Sequence, residues 1–192
     1  HARSLVLEQS DDTLAYFALR DDKQHFVTAS GLVAYQVLAG VCLVSPDPIG
    51  SAPLEVWREF RNFAEKQGWP VAVLAASHEW SQVYTSEGLT SLYLGDEAIV
   101  DVESFTLDGR ENRALRQAVN RMQRYGYTVD IVKSGQLGSE TRASLRDVAL
   151  ESRLGDAERG FAMSLGRIAS SRDAEVLIAI CRDIDGEICG FC

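Results

Sequence analysis

Five arginines fall between Arg110 and Arg124, in a stretch whose only acidic residue is Glu111. At about 100° per residue, a helix here sets Leu115, Ala118, Val119 and Met122 on one side and Arg113, Gln117, Asn120 and Arg124 on the other. Arg116 and Arg121 flank the polar side. Guanidinium forks match phosphate oxygens, so this face suits an RNA backbone or a lipid phosphate. A solvated helix face neutralised by nearby acids fits the pattern equally well.

Adjacent carboxylates stand in Leu94-Gly95-Asp96-Glu97-Ala98, which reads as a strand end. Neighbouring strand residues point to opposite faces, so one of Asp96 and Glu97 would face a given pocket, there to hold an ammonium or act as a base. A solvated loop pair is the plainer reading. From Glu151 to Gly166, charges alternate with glycines and then give way to an apolar patch around Phe161. That mixture reads as a structured loop of the kind that lines sites, or as a salt-bridged connector.

Elements to position these groups follow from the pattern. Tyr16–Arg20 and Phe26–Ser30 read as strands around the turn Asp21-Asp22-Lys23, and two more cross Leu32–Ser45 with a break near Gly40. Pro53 opens a helix carrying Leu54, Trp57, Phe60 and Ala64, and Gly68 stops it. Pro70–Ala76 is an apolar strand, Ser77 caps a second helix that ends at Gly88, and Thr90–Leu94 returns as a strand. A second unit then offers helix 110–125, strand 127–133, helix 139–154 and the strands Val176–Arg182 and Glu187–Phe191 joined at Asp185-Gly186. This order gives an α+β protein with largely antiparallel mixed sheets flanked by helices, divided as 1–105 and 106–192, the second unit unfinished. Trp57, Phe60, Phe63, Trp69 and Trp80 read as core or rim packing, and Asp47, between two prolines, as a turn residue.

The 192 residues carry 28 acidic against 19 basic side chains, a formal charge of −9. Attraction to phosphate must therefore be local. The nearly apolar stretch 32–44 falls short of the roughly 20 residues that cross a bilayer. The first residues lack the apolar core of a signal peptide and the last stop inside a strand, so the chain reads as a piece of a longer protein. Cys42 and Cys181 lie in apolar runs as small hydrophobes, and the Cys189/Cys192 spacing reads as chance plus packing. His1, His25 and His78 lack metal-ligand spacing. Phosphate-binding G-x-x-x-x-G-K-[ST], dinucleotide G-x-G-x-x-G and nucleophile-elbow G-x-S-x-G motifs are all absent, which argues against nucleotide hydrolysis, Rossmann redox chemistry and serine esterase chemistry.

Several stretches, in this order and spacing, resemble one family. They are Phe26-Val27-Thr28-Ala29-Ser30-Gly31-Leu32-Val33-Ala34-Tyr35, Ser45-Pro46-Asp47-Pro48-Ile49-Gly50 and Tyr93-Leu94-Gly95-Asp96-Glu97-Ala98-Ile99-Val100-Asp101-Val102. Phe105, Gly109, Arg113, Arg116, Asn120, Arg121 and Glu158-Arg159-Gly160-Phe161 continue the series. Together they resemble the catalytic region of the phosphatidylglycerol lysyltransferases, the multiple peptide resistance factor family, in its actinobacterial branch.

The resemblance implies tandem GNAT-like acyltransferase domains, the second incomplete here. The implied activity moves lysine from lysyl-tRNA to the glycerol hydroxyl of phosphatidylglycerol at the cytoplasmic face of the bacterial plasma membrane, lowering the lipid's negative charge and giving resistance to cationic peptides. A membrane segment and a lysyl-tRNA synthetase outside this chain are further implied partners. No cofactor is expected, because no convincing acetyl-CoA pyrophosphate loop is present. On this reading Asp96 or Glu97 senses the lysyl ammonium or assists proton transfer, and Arg113, Arg116, Asn120 and Arg121 contact phosphate of tRNA or lipid. Glu158, Arg159 and Phe161 line the site from their loop. Another aminoacyl-tRNA such as alanyl-tRNA, another acceptor, or a non-catalytic tRNA- or lipid-binding module remain alternatives at this point.

Overall fold

The computed structural model describes residues 2–10, 12–96, 98–154, 160–161 and 164–192. The chain forms two compact units: 1–93 with 158–166, and 94–157 with 167–192.

Unit 1 is built around a sheet of β1 (Gln24–Val27), β2 (Gly31–Leu38), β3 (Val41–Val44) and β5 (Val71–Val73), in that order, with the short β4 (Ile49–Gly50) also paired to β2. All pairs are antiparallel except β3 with β5. Strand β2 is buried on both faces because each face has its own cover. Val33 and Tyr35 point to α2 (Pro53–Lys66), whose Val56, Trp57, Phe60 and Ala64 are buried, and to Tyr84 of α3 (His78–Ser86). Leu32 and Ala34 point the other way, to Leu5 and Val6 of α1 (Ala2–Glu8) and to Ala15 and Ala18.

The expected strand at Tyr16–Arg20 is instead a 3-10 turn, Thr13–Leu19, started by the Asp12 carboxylate, which accepts the Leu14 N–H at 2.9 Å. Ala15 and Ala18, three apart, then share one face and let the turn lie close on β2, which strand alternation would forbid. Helix α1 carries no feature that sequence reading used, and β1 stops at Val27, before the turn closed by Thr28 N–H to Gly31 O at 2.8 Å.

Gly31 and Gly50 meet where β2 and β4 pair; a Cβ on Gly31 would lie 2.1 Å from the Ile49 carbonyl oxygen. The loop between β3 and β4 is fastened by Asp47, a deeper role than a turn residue. Its buried carboxylate accepts the Tyr84 hydroxyl at 2.7 Å and the Ser77 N–H at 2.9 Å. Ser77 caps α3 as expected, its Oγ accepting from Trp80 N–H at 3.2 Å.

Unit 2 holds an antiparallel sheet ordered β6 (Thr128–Lys133), β7 (Leu177–Arg182), β8 (Ile188–Phe191). Leu145 and Ala149 are the buried residues of α5 (Ser139–Ser152), and Leu145 packs with Ile178, Ile180 and Ala169 in a small core. The Arg142 guanidinium ties this unit's loops, donating to the carbonyls of Leu137 (3.0 Å), Ser134 (2.8 Å) and Ala169. A half-buried to buried ion pair, Arg167–Asp173 at 2.6 Å, holds the approach to β7.

The strand expected at Thr90–Leu94 does not form. Leu92, Tyr93 and Leu94 are exposed, and among the described residues no strand lies alongside to complete a ladder. Cys189 Sγ sits 3.7 Å from Cys181 Sγ across the β7–β8 pair, so its neighbour is set by strand pairing and not by the Cys189/Cys192 spacing. No helix of the described residues is long and apolar enough to cross a membrane.

Candidate functional site

Helix α4 (Arg113–Arg124) of unit 2 contains four arginines, no acid and no buried residue. Among the described residues no carboxylate forms an ion pair with any of its arginines. Arg113, Asn120 and Arg121 are exposed to solvent. A surface concavity lined by Gln117, Asn120, Arg121 and Arg124 opens on this side of the helix. Arg124 Nε reaches back to the Asn120 carbonyl at 3.3 Å.

Arg116 is bonded within the chain. Its guanidinium donates to the carbonyls of Leu107 and, at 3.0 Å, Gly109, while Asn112 Nδ2 donates to Thr106 O at 2.7 Å. These bonds fold the segment before α4 back on its first turns, with Arg116 as the tie. The cause is its place on the flank of the polar face, within reach of the preceding backbone.

Asp96 lies exposed in the irregular connector 94–112, not at a strand end, because the strand that would have carried it is missing. Asp101 of the same connector accepts the Ser104 hydroxyl at 2.6 Å and the Glu103 N–H at 3.1 Å, and these bonds hold its carboxyl below the usual range. Glu97, Glu158 and Arg159 lie outside the described residues. Phe161 is described and belongs to unit 1.

In unit 1, Phe161 joins a polar knot that sequence reading left out. Lys23, only 7% exposed, donates from Nζ to the Ser45 carbonyl at 2.6 Å, and Nζ stands 4.4 Å from the centroid of the Phe161 ring. Arg20 grips Asp22 with two bonds of 2.9 Å and donates to the Ser164 carbonyl. Those bonds from Arg20 hold the Asp22 carboxyl below its ordinary value. Burial, helped by repulsion from Arg20 and opposed by Asp22, pushes the Lys23 ammonium down to about 8. Burial also raises Asp47, against the bonds from Tyr84 and Ser77 that favour its charged form. The signal available in the sequence was a charged turn, Asp21-Asp22-Lys23, between apolar segments; the ring that Lys23 touches, Phe161, lies far along the chain.

Two α+β units, each a small and largely antiparallel sheet flanked by helices, give the chain a GNAT-like fold. L-PGS from Bacillus licheniformis has this architecture, with a TM-score of 0.83 and 27% identity over 99% of this chain and 61% of that one. The C-terminal DUF2156 domain from Agrobacterium fabrum shares the fold, with a TM-score of 0.82 and 24% identity over 99% of this chain and 60% of that one. The chain belongs to the phosphatidylglycerol lysyltransferase C-terminal family, whose sequence pattern matches residues 2–192.

It is 42% identical to the lysylphosphatidylglycerol biosynthesis bifunctional protein LysX of Rhodococcus jostii and 38% identical to that of Mycobacterium tuberculosis strain H37Rv. These similarities cover 98% and 91% of this chain but 17% and 15% of the relatives, so the chain spans a minor part of their length.

Proposed function

We propose that this chain is the first GNAT-like domain and the N-terminal part of a second one in an enzyme that transfers lysine from lysyl-tRNA to phosphatidylglycerol. The observation that carries the reading is the family match over residues 2–192, joined by relatives whose names specify lysylphosphatidylglycerol biosynthesis. The reaction is an ester exchange. A glycerol hydroxyl of the lipid attacks the aminoacyl carbonyl carbon, the bond to the tRNA ribose oxygen breaks, and the proton passes from the glycerol oxygen to that leaving oxygen. Such a step needs positioning, proton transfer and oxyanion stabilisation, with no covalent enzyme intermediate.

In this reading Arg113, Asn120 and Arg121, with Arg124, meet phosphate of tRNA or lipid, and Arg116 shapes the segment beside them. Asp96 or Glu97 attends the lysyl ammonium or the migrating proton, while Glu158, Arg159 and Phe161 line the site. The enzyme acts at the cytoplasmic face of the plasma membrane, where both substrates are met, and a membrane segment and a lysyl-tRNA synthetase belong to the longer protein. The exposed arginines of α4 support a polyanion contact in a chain whose net charge is −9.

The test incubates the longest available form of the protein with radiolabelled lysyl-tRNA and phosphatidylglycerol vesicles, with alanyl-tRNA as the parallel donor. Label from lysine in the lipid phase is the expected result. Label from alanine alone, or tRNA binding without transfer, would overturn the reading.

A further inference from the structure

Gly160, Phe161 and Ser164 to Gly166 pack as part of unit 1, although the chain leads into them from unit 2 and returns to unit 2 at residue 167. Among the described residues this segment has no helix or strand to hold it, so side-chain anchors must. Two cations from one short stretch of unit 1 supply them. Arg20 donates to both the carbonyl and, at 3.3 Å, the hydroxyl of Ser164, and Lys23 lies under the ring of Phe161.

We propose that Arg20 and Lys23 are positioning residues that clamp Gly160, Phe161 and Ser164, so that the Phe161 ring is held in place for aminoacyl transfer. The proposal rests on the lysyl-transfer reading for its catalytic consequence and on unit 1 alone for its geometry.

Three independent features carry it. A Cβ on Gly160 would stand 2.3 Å from Arg20 Nη2 and 2.6 Å from its Cζ, so the backbone lies directly against the guanidinium. That guanidinium has little room to retreat: Arg20 is 9% exposed and is held by two bonds to Asp22. Phe161 adopts φ +67°, a left-handed conformation that side chains other than glycine rarely adopt and an aromatic residue less than most. Such strain persists only where the surroundings impose it. Here the ring rests on a buried ammonium.

Finally, that ammonium is stabilised by a backbone carbonyl and a π face; among the described residues no carboxylate forms an ion pair with Nζ. A desolvated cation gains most from an aromatic face, so the lysine and the ring hold each other. The charged groups acting on Lys23 are Arg20 and Asp22 of its own turn.

The test takes the 192-residue chain and its Phe161→Leu, Phe161→Tyr and Gly160→Ala variants. In NMR spectra the Lys23 ε-methylene is expected upfield of an ordinary lysine in the wild type and in Phe161→Tyr, and at the ordinary position in Phe161→Leu. Amide exchange at Gly160, Phe161 and Ser164 is expected to quicken by about tenfold in Phe161→Leu and Gly160→Ala, with β1 to β3 unchanged and Phe161→Tyr like the wild type. An unshifted Lys23 resonance in the wild type, or wild-type exchange in Phe161→Leu and Gly160→Ala, would overturn the clamp.

In the longest active form of the protein, Phe161→Leu should lower kcat at unchanged KM for lysyl-tRNA, and Phe161→Tyr should restore it. Wild-type transfer by Phe161→Leu would overturn the positioning role. If the wild type itself transfers nothing, the lysyl-transfer reading fails, while resonance and exchange still judge the clamp.

Discussion

Replacing Lys23 with Met should change how the stability of unit 1 depends on pH more than it changes the stability itself. In the folded chain the Lys23 ammonium titrates near 8, against 10.5 for an ordinary lysine, chiefly because it is buried. Below pH 8 both folded and unfolded chains carry the proton, and the folded state bears the full cost of burying it. Between 8 and 10.5 the unfolded chain keeps a proton that the folded chain has released, so stability rises with pH. Above 10.5 both are neutral and the gain levels off. At about 1.4 kcal/mol per pKa unit, the total gain is at most about 3.5 kcal/mol, of which about 3 is reached between pH 7 and 10.5.

Methionine removes the charge and keeps much of the contact with Phe161. It also removes a charge-assisted bond to the Ser45 carbonyl, worth about 1.5–3 kcal/mol. The two effects oppose each other at pH 7, so the variant should unfold near the wild-type urea midpoint there. Trp57, Trp69 and Trp80 all lie in unit 1, which makes tryptophan fluorescence a local reporter of its unfolding. Urea titrations at fixed ionic strength from pH 7 to 10.5 should show the wild type gaining up to about 3 kcal/mol relative to Lys23→Met. Parallel pH profiles for the two proteins would refute the reasoning, because they would mean that Lys23 has the same proton affinity folded and unfolded.

Three further outcomes follow from the geometry. Tyr84→Phe leaves one oxygen of the buried Asp47 carboxylate without its donor and should cost about 1–3 kcal/mol at pH 7. Burial raises the Asp47 carboxyl, so its charged form costs stability as pH rises through the folded value, and the Tyr84→Phe deficit should shrink in acid, measured by the same urea titrations. Gly31→Ala forces a methyl into the β2–β4 contact and should lower stability by roughly 1–3 kcal/mol or prevent folding, read by circular dichroism and thermal unfolding. In filter binding of tRNA, the double change Arg113→Ala with Arg121→Ala should reduce the slope of log affinity against log salt by roughly 1.5, whereas Arg116→Ala should leave that slope near wild type. An equal fall for Arg116→Ala would show that its bonds to Leu107 and Gly109 open when RNA binds.

The sequence by itself determined the elements whose signals are local. The apolar stripe of Trp57, Phe60 and Ala64 between Pro53 and Gly68 specifies α2, Ser77 marks the start of α3, and Asp185-Gly186 closes the last hairpin. The order and spacing of the short motifs likewise identified the family, since they are properties of the chain and not of its folding. The arginine face of α4 was legible for the same reason: helical periodicity sorts side chains before any tertiary contact forms.

Only the tertiary structure decided the rest. Tyr16–Arg20 alternates well enough for a strand, but the close approach of Ala15 and Ala18 to β2 makes it a 3-10 turn. Thr90–Leu94 has strand-like residues, but among the described residues no strand pairs with it, and a ladder cannot be made by one strand. Arg116 carries the same charge as Arg113, yet the backbone of Leu107 and Gly109 lies within its reach and takes its hydrogen bonds. Lys23 and Phe161 are far apart in sequence and neither is unusual alone. Burial desolvates the amine and brings the ring over it, and that mutual dependence exists only once the chain has folded.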